Sequence, residues 1–309
     1  MRVPGGSTGG RGSVSAPAGA SAPPLGLATG AIGLAQQLLV RMSTAEPATL
    51  DVDGQHLRVA VQPGVEADCP PLLLLNGLGA NLEIFQPFVD ALGERIGSLR
   101  IDLPGVGGSP PSAIPLRMSG LARLLARALE RMDVAEVDVL GISWGGALAQ
   151  QFAHQYTHRC RRLVLVSTGT GAFMVPGRPT ALLMLASPRR YVDPAYMASV
   201  APHLYGGRMR SHPELAMKYA RSAGFAGPRG YYAQLLAGAG WTSIHWLWRL
   251  RQPTLILSGR DDPIVPWING WIMARLIRDS RLHIFDDGHL GLLTSAAELA
   301  PIVRTFLTQ

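Results

Sequence analysis

Cysteines and long apolar runs are both scarce in this sequence. Only Cys69 and Cys160 are cysteines, and they fit neither a C-x-x-C pair nor a metal-ligand spacing. A disulfide framework is therefore excluded, and two structural thiols in a reducing compartment are favoured. No apolar run among the 309 residues reaches the length that spans a bilayer, so we predict no transmembrane segment.

Lysine is scarce as well, since Lys218 is the only one and arginines supply nearly all of the positive charge. The formal net charge is +7, yet apart from Arg161-Arg162 and Arg189-Arg190 the arginines are scattered along the chain. Nucleic-acid-binding proteins carry basic residues in a patch or stripe, often with aromatic side chains between them. The sequence therefore predicts no nucleic-acid partner, while its basic balance favours an anionic interface or acidic products.

Residues 1–30 consist chiefly of Gly, Pro, Ser and Ala. We expect them to be disordered because they have too little apolar surface to pack. Residues 31–41 have the pattern of a short amphipathic helix, but they make a poor signal peptide because the Ala-Ser-Ala site precedes the apolar stretch. Three interpretations of residues 1–41 stay open: a disordered extension, a translation start at Met42, or an anchor to a surface.

Strand and helix patterns alternate from Ala48 onwards, beginning with a hairpin of two short strands at residues 48–64. The apolar runs Pro70–Leu75 and Arg162–Val166 predict buried parallel strands, and Leu116–Met132 carries apolar residues at helical spacing. This alternation predicts an α/β fold with a mostly parallel, doubly wound sheet. Ligands are then expected at the carboxyl ends of the strands.

The alternation breaks off once, between residues 168 and 252. Roughly 80 residues lie in this interval, which is far too many for a loop. We therefore predict an α/β core formed by residues 46–168 and 252–309. The intervening residues 169–251 are predicted to form an inserted helical cap.

Aromatic residues are concentrated in the predicted cap, which holds six of the seven tyrosines and three of the six tryptophans. Some of these side chains must form the core of the cap itself. Their concentration also predicts an apolar substrate cavity beneath it. The candidate lining residues are Tyr231, Trp241, Trp246 and Trp248.

The strongest motif lies in VDVLGISWGGALAQ, residues 137–150. An apolar strand pattern leads into Gly141-x-Ser143-x-Gly145, and a helical pattern follows directly. Glycines two residues before and after the serine leave room for the strand and helix to approach across a sharp turn. This arrangement predicts the nucleophile elbow of an α/β-hydrolase fold, with Ser143 as the nucleophile. The alternative is a glycine-rich turn with a chance serine.

A serine nucleophile needs a histidine base and a carboxylate that orients the base. In this fold the acid and then the histidine follow the serine along the chain. Of the eight histidines, His289 lies just after the last predicted strand, so we predict it as the base. The preceding strand leads into two adjacent aspartates. The spacing Gly259-x-x-Asp262-x-x-x-Pro266 favours Asp262 as the acid, and Asp261 stays the alternative.

The tetrahedral intermediate of acyl transfer needs two donors for its oxyanion. One is predicted to be the backbone N–H of Trp144, directly after the nucleophile, and the other that of Leu78, in the loop after an apolar strand. Asn76 precedes that loop residue and either braces the loop or simply forms its turn. This chemistry needs neither a metal nor a cofactor.

Several segments together resemble the intracellular medium-chain-length polyhydroxyalkanoate depolymerases. The similarity runs from about residue 50 to the end, and the first 41 residues match nothing in that family. The elbow alone fits many esterases, whereas the cap segments are more specific because caps diverge with substrate. The segments are NGLGANLE (76–83), DLPGVGGS (102–109), GISWGGALAQQFAH (141–154), ASPRRYV (186–192), GWTSIHWL (240–247) and QPTLILSGRDDPIVP (252–266).

The resemblance implies a cytoplasmic serine hydrolase that acts on stored poly(3-hydroxyalkanoate) at the granule surface. The products would be 3-hydroxyacid monomers or oligomers, and small acyl esters would also be substrates. Ser143 excludes the aspartate-nucleophile dehalogenases and epoxide hydrolases, and it also departs from the polymer synthases, which carry cysteine there. The oligomeric state stays open.

Three other functions stay open because a fold does not fix its substrate. Two are enzymes on the same scaffold: a soluble carboxylesterase or lactonase, and a C–C bond hydrolase. The third is a non-catalytic protein that binds polyester granules. The predicted Ser143, Asp262 and His289 set argues against this last alternative, since a binding protein needs no such set.

Overall fold

The structure, a computed structural model, describes residues 46–65, 69–222 and 226–309. The predictions for residues 1–41 lie outside the described residues. The strands in chain order are β1 (Ala48–Val52), β2 (Gln55–Gln62), β3 (Leu72–Leu75), β4 (Ser98–Ile101), β5 (Val137–Ile142), β6 (Cys160–Val166), β7 (Thr254–Gly259) and β8 (Ser280–Phe285). The described residues thus form one eight-stranded sheet in the order β1-β2-β4-β3-β5-β6-β7-β8.

The sheet is mostly parallel. Strand β1 pairs with β2 and β2 with β4 in antiparallel fashion, and every pairing from β4 across to β8 is parallel. All residues of β3, β5 and β7 are buried, which is why apolar residues predominate in these strands. The predicted α/β class and the predicted hairpin are both confirmed.

The α-helices of the described residues alternate with these strands and cover both faces of the sheet. They are α1 (Gln86–Leu92), α2 (Met118–Arg131), α3 (Trp144–Gln155), α4 (Pro179–Leu185), α5 (Arg189–Val192), α6 (Pro194–Tyr205), α7 (Arg208–Ser211), α8 (Pro213–Ser222), α9 (Pro228–Gly238), α10 (Ile268–Leu276), α11 (Gly291–Thr294) and α12 (Ala296–Leu307). Short 3-10 turns occur at Leu82–Phe85, Thr157–Arg159 and Leu247–Arg249.

Two apolar clusters hold the layers together, one on each face of the sheet. Strand β3 supplies both, because successive side chains of a strand point to opposite faces. Leu72 and Leu74 belong to one cluster, and Leu73 and Leu75 belong to the other. The loops after β3, β5, β7 and β8 therefore leave the sheet from a rigid, fully packed platform.

Helices α4 to α9 all lie between β6 and β7, where the sequence predicts an insertion. The two ends of this segment meet. Ala172 N–H donates to the Trp241 carbonyl at 2.8 Å, and Ser243 N–H donates to the Thr170 carbonyl at 3.0 Å. We call residues 169–251 the cap segment. Its helices contact the loops at the carboxyl ends of the strands, where ligands were expected.

Candidate active site

Ser143 lies at the junction of β5 and α3 with φ 55° and ψ −120°. This left-handed backbone costs a non-glycine residue about 1–3 kcal/mol, so the surroundings must impose it. The glycines on either side permit the turn. A Cβ on Gly141 would lie 2.3 Å from the Gly145 carbonyl oxygen, and one on Gly145 would lie 2.1 Å from that of Leu75. The spacing of the motif therefore has the steric cause that the sequence predicts.

The backbone of Ser143 is fixed from the neighbouring strand. Its N–H donates to the Val166 carbonyl at 2.9 Å, and the Thr168 hydroxyl donates to the Ser143 carbonyl at 2.7 Å. Both partners belong to the end of β6 or the loop that follows it. The side chain of Ser143 is thereby left at the N-terminus of α3, where backbone amides favour negative charge.

His289 and Asp262 form a buried pair. The His289 Nδ1 lies 2.8 Å from the Asp262 Oδ2, and the two residues are only 4% and 7% exposed. The other carboxylate oxygen accepts from the amides of Ile264 at 2.8 Å and Val265 at 2.9 Å. With Nδ1–H donated to the carboxylate, Nε2 is left as the acceptor of the imidazole. That is the tautomer a general base requires.

Asp261 has a different partner. Its carboxylate accepts from the Gly207 amide at 2.9 Å and pairs with Arg210 at 3.2 Å, and both of these residues belong to the cap segment. The structure therefore brings Asp262 to the imidazole and uses Asp261 to attach the cap.

The loop that carries His289 is held by a carboxylate that the sequence did not single out. Asp287 is buried and accepts from the Arg208 amide at 2.7 Å and from the Ser295 hydroxyl at 2.6 Å. The His289 amide donates to the Tyr205 carbonyl at 2.8 Å, and the two rings lie nearly parallel with centroids 6.3 Å apart. Burial raises the pKa of Tyr205, so the phenol beside the imidazole stays neutral.

Ser143 and His289 line one cavity of about 230 Å³, together with Leu78 and Trp144. Asn76 also lines it, and its side-chain NH2 donates to the Asn81 carbonyl, so the side chain braces the loop. Most of the other lining side chains are apolar, among them Ile84, Met118, Met174, Leu182, Leu185, Trp241, Ile264, Val265, Leu290 and Leu293. The polar or charged ones are Thr168, Arg190, Tyr191, Tyr205 and Tyr219. The candidate catalytic groups thus open onto a space suited to an aliphatic chain.

Only one of the four predicted aromatic lining residues is found there. Trp241 lines the cavity, but Tyr231, Trp246 and Trp248 do not. Tyr231 is buried against Gly79, and its hydroxyl accepts from Arg190. Trp246 packs in the cluster beneath the sheet, and its ring stacks on His154.

Trp248 lies at the surface, outside the cavity. It is 47% exposed, and the guanidinium of Arg249 lies 5.0 Å from its ring centroid. An enrichment in aromatics predicts burial or a cavity for the whole segment, but not which side chain faces which space.

Comparison with known proteins assigns the family. A family model described as alpha/beta hydrolase fold matches residues 70–296. The chain belongs to the α/β-hydrolase family. The fold predicted from the nucleophile elbow is thereby confirmed.

Among curated proteins, this α/β-hydrolase is 52% identical over 261 residues to a poly(3-hydroxyalkanoate) depolymerase of Ectopseudomonas oleovorans, covering 84% of this chain and 92% of that protein. The predicted resemblance is therefore confirmed. A 2-hydroxy-6-oxo-2,4-heptadienoate hydrolase of Pseudomonas putida is 28% identical over 83% of this chain and 98% of its own length.

Among solved structures, the enol-lactonase from Burkholderia xenovorans LB400 matches with a TM-score of 0.72 and 22% identity, covering 85% of this chain and all of that one. At this identity the match shows the fold alone. Within residues 46–65, 69–222 and 226–309, no helix of this α/β-hydrolase is long and apolar enough to cross a membrane. The same residues contain no cluster of His, Cys, Asp and Glu that could hold a metal ion.

Proposed function

We propose that this α/β-hydrolase cleaves the ester bonds of medium-chain-length poly(3-hydroxyalkanoate) and releases 3-hydroxyacid monomers or oligomers. The main support for this substrate is the 52% identity to a curated poly(3-hydroxyalkanoate) depolymerase over nearly its whole length. The apolar cavity beside Ser143 supports it, because the polymer bears aliphatic side chains that gain free energy on leaving water.

The first half of the proposed reaction transfers the acyl group to the enzyme. His289 Nε2 takes the proton of the Ser143 hydroxyl as Oγ attacks the ester carbonyl, and Asp262 stabilises the imidazolium. The amides of Leu78 and Trp144 donate to the oxyanion of the tetrahedral intermediate. The carbon–oxygen bond of the ester then breaks, and the departing alkoxide takes the proton from His289.

Water completes the reaction by the same route in reverse. His289 accepts a proton from the water as its oxygen attacks the acyl carbon, and the bond to Ser143 Oγ breaks as the proton returns to that oxygen. The products are a free carboxylic acid and the regenerated serine. All proton transfers use side chains of this chain, and the proposed cycle needs no metal or cofactor.

The deciding experiment offers the purified enzyme an emulsion of poly(3-hydroxyoctanoate) and, in parallel, one of poly(3-hydroxybutyrate). We expect the first emulsion to clear and the second to stay largely turbid, because the cavity is lined by apolar side chains that favour longer acyl chains. Turnover of p-nitrophenyl esters without clearing of either polymer would instead support the soluble carboxylesterase. Cleavage of a dienoate carbon–carbon bond would support the C–C bond hydrolase.

Replacing Trp241 by alanine should weaken the preference for long acyl chains. Each buried methylene contributes roughly 0.8 kcal/mol, or up to about fourfold in specificity, so kcat/KM of the wild type should rise steeply from four to about eight or ten carbons. Trp241 lines the cavity, and its removal should flatten that rise. The measurement is kcat/KM across a series of 3-hydroxyacyl esters.

Trp248→Ala is the matched control for this series, because Trp248 is exposed outside the cavity. Its profile should follow that of the wild type. An unchanged slope in Trp241→Ala, or a flatter slope in both variants, would contradict the assignment of the cavity as the acyl-chain site.

We also propose that the chain acts in the cytoplasm at the surface of polyester granules. The resemblance to intracellular depolymerases and the insolubility of the substrate support this location. In a cell that stores the polymer, the protein should sediment with the granules. Recovery in the soluble fraction of granule-containing cells would contradict it.

The proposed domain organisation follows the predicted boundaries. Residues 46–168 and 252–309 form the core, residues 169–251 form the cap, and residues 1–41 are an extension outside it. The hydrogen bonds that join residues 170–172 to 241–243 support the cap boundary.

Deleting residues 1–41 should leave the melting temperature and the turnover of short esters nearly unchanged, because this stretch has too little apolar surface to pack. Thermal unfolding and a p-nitrophenyl ester assay measure the two properties. A fall of many degrees would show that the extension belongs to the fold. A selective loss of granule binding would favour the anchor.

A further inference from the structure

The peptide group between Leu78 and Gly79 is bound at both of its polar atoms by the cap segment. The Tyr191 hydroxyl donates to the Leu78 carbonyl at 2.6 Å. The Gly79 amide donates to the side-chain oxygen of Gln234 at 2.7 Å. This peptide directly follows the one whose N–H is the proposed oxyanion donor. The cap therefore sets the orientation of the loop at the point where it approaches the ester carbonyl.

Gln234 also contacts the second oxyanion segment. Its backbone carbonyl accepts from the indole Nε1 of Trp144 at 2.9 Å. One residue of α9 thus joins the loop after β3, through its side chain, to the first residue of the nucleophile helix, through its backbone. The two proposed oxyanion donors, Leu78 N–H and Trp144 N–H, belong to these two segments.

Gln234 is itself held rigidly. It is buried, with only 4% of its surface exposed. Helix α9 lies directly against the backbone of the loop after β4. The approach is so close that a Cβ on Gly230 would lie 1.8 Å from the Gly105 carbonyl oxygen. Only glycine allows that approach. This close approach of the backbones fixes the position of α9, and with it Gln234, relative to the core.

We infer that Gln234 is a positioning residue for the oxyanion hole, holding the loop at Leu78–Gly79 in register with Trp144. The inference rests on the proposed function as an ester hydrolase. An oxyanion donor is effective only when it is aimed beforehand at the position that the charged oxygen will occupy. Without its acceptor the buried Gly79 amide is unpaired, and the loop moves to find another partner.

Gln234→Met is the test, because methionine matches the length of glutamine but lacks the carbonyl oxygen. We expect kcat for p-nitrophenyl octanoate to fall about 10- to 100-fold, less than the loss of an oxyanion donor itself. KM should change little, because the interaction that is weakened as a consequence, between the oxyanion and its amide donor, forms only in the transition state.

Gln252→Met is the matched control. Gln252 is equally buried at 3% exposure, and its side-chain NH2 donates to the Ala153 carbonyl at 3.0 Å. It lies just before the amino end of β7, whereas the cavity lies at the carboxyl ends of the strands. Both variants should lose some thermal stability, but only Gln234→Met should lose kcat.

A pair of inhibitors separates positioning from general damage. An octyl trifluoromethyl ketone is attacked by the serine and forms a tetrahedral oxyanion, whereas the matching methyl ketone binds mainly as the unreacted carbonyl. In Gln234→Met the affinity for the trifluoromethyl ketone should fall in parallel with kcat/KM, and that for the methyl ketone should stay within about twofold.

Tyr191→Phe provides a second variant that keeps the ring and removes the hydroxyl bound to the Leu78 carbonyl. It should show the same selective loss, and Tyr232→Phe, at a half-exposed neighbour of Tyr231, should not. Equal effects of Gln234→Met and Gln252→Met on kcat, or parallel losses for both ketones, would overturn the inference. A wild-type enzyme that hydrolyses no ester would overturn the proposed function, and the inference with it.

Discussion

Replacing Ser143 by alanine should leave a folded protein whose ester hydrolysis falls by about 10⁴-fold or more. The members of a catalytic triad act as a unit, so the loss of the nucleophile removes nearly all of their contribution. Alanine also removes no contact that the fold needs, because the backbone of Ser143 is held by hydrogen bonds to the Val166 carbonyl and the Thr168 hydroxyl. The measurement is kcat/KM for p-nitrophenyl octanoate alongside the melting temperature.

Ser167→Ala is a close control for this experiment. Ser167 follows the adjacent strand β6, is buried and has a φ of 44°, so it shares the strained backbone of Ser143. It does not line the cavity. Its replacement should leave kcat/KM within a few fold of the wild type. If Ser143→Ala kept substantial activity that a serine-directed phosphonate still inhibited, another residue would have to be the nucleophile.

The sequence predicts those parts of the site that depend on a short motif or on the order of neighbouring strands. The elbow depends on Gly141 and Gly145, which the motif itself identifies. In the structure a Cβ at either position would clash with neighbouring backbone atoms. The pairing of His289 with Asp262 follows from the order of strands, because the carboxyl ends of β7 and β8 are neighbours in the sheet. Both features could be read without knowing how the cap folds.

The contacts made by the cap segment could not be predicted in the same way. Trp241 and Trp246 are five residues apart, pack in the same apolar cluster and contact each other edge to face, yet only Trp241 also lines the cavity. Gln234 lies in a helix with no motif, and its role depends on partners more than 80 residues away. Apolar patterning indicates that a side chain is buried, whereas tertiary packing determines which residues it contacts.

The cap is joined to every loop of the candidate site, which explains why its conformation should matter for rate as well as for substrate choice. It binds the acid loop through Gly207 and Asp261, and the histidine loop through Arg208 and Asp287. It binds the loop after β3 through Gln234. Such a cap forms part of the wall of the site.

The second large effect is expected at Asp262, the residue assigned as the acid of the triad. Asp262→Asn should lower kcat by about 10⁴-fold, because an amide in place of the carboxylate favours the imidazole tautomer with the proton on Nε2. That tautomer cannot accept the proton of Ser143. The shape of the site is retained, since Asn keeps an oxygen for the amides of Ile264 and Val265. Pre-steady-state acylation by p-nitrophenyl octanoate measures the step directly.

Asp261→Asn is the natural comparison, because the two aspartates are adjacent and only one reaches the imidazole. Asp261 is half-exposed, and its hydrogen bond to the Gly207 amide survives in an asparagine oxygen, so only the ion pair with Arg210 is lost. An exposed ion pair contributes about 1 kcal/mol or less, and we expect kcat to change by no more than a few fold. A loss at Asp261 equal to or larger than that at Asp262 would reverse the assignment.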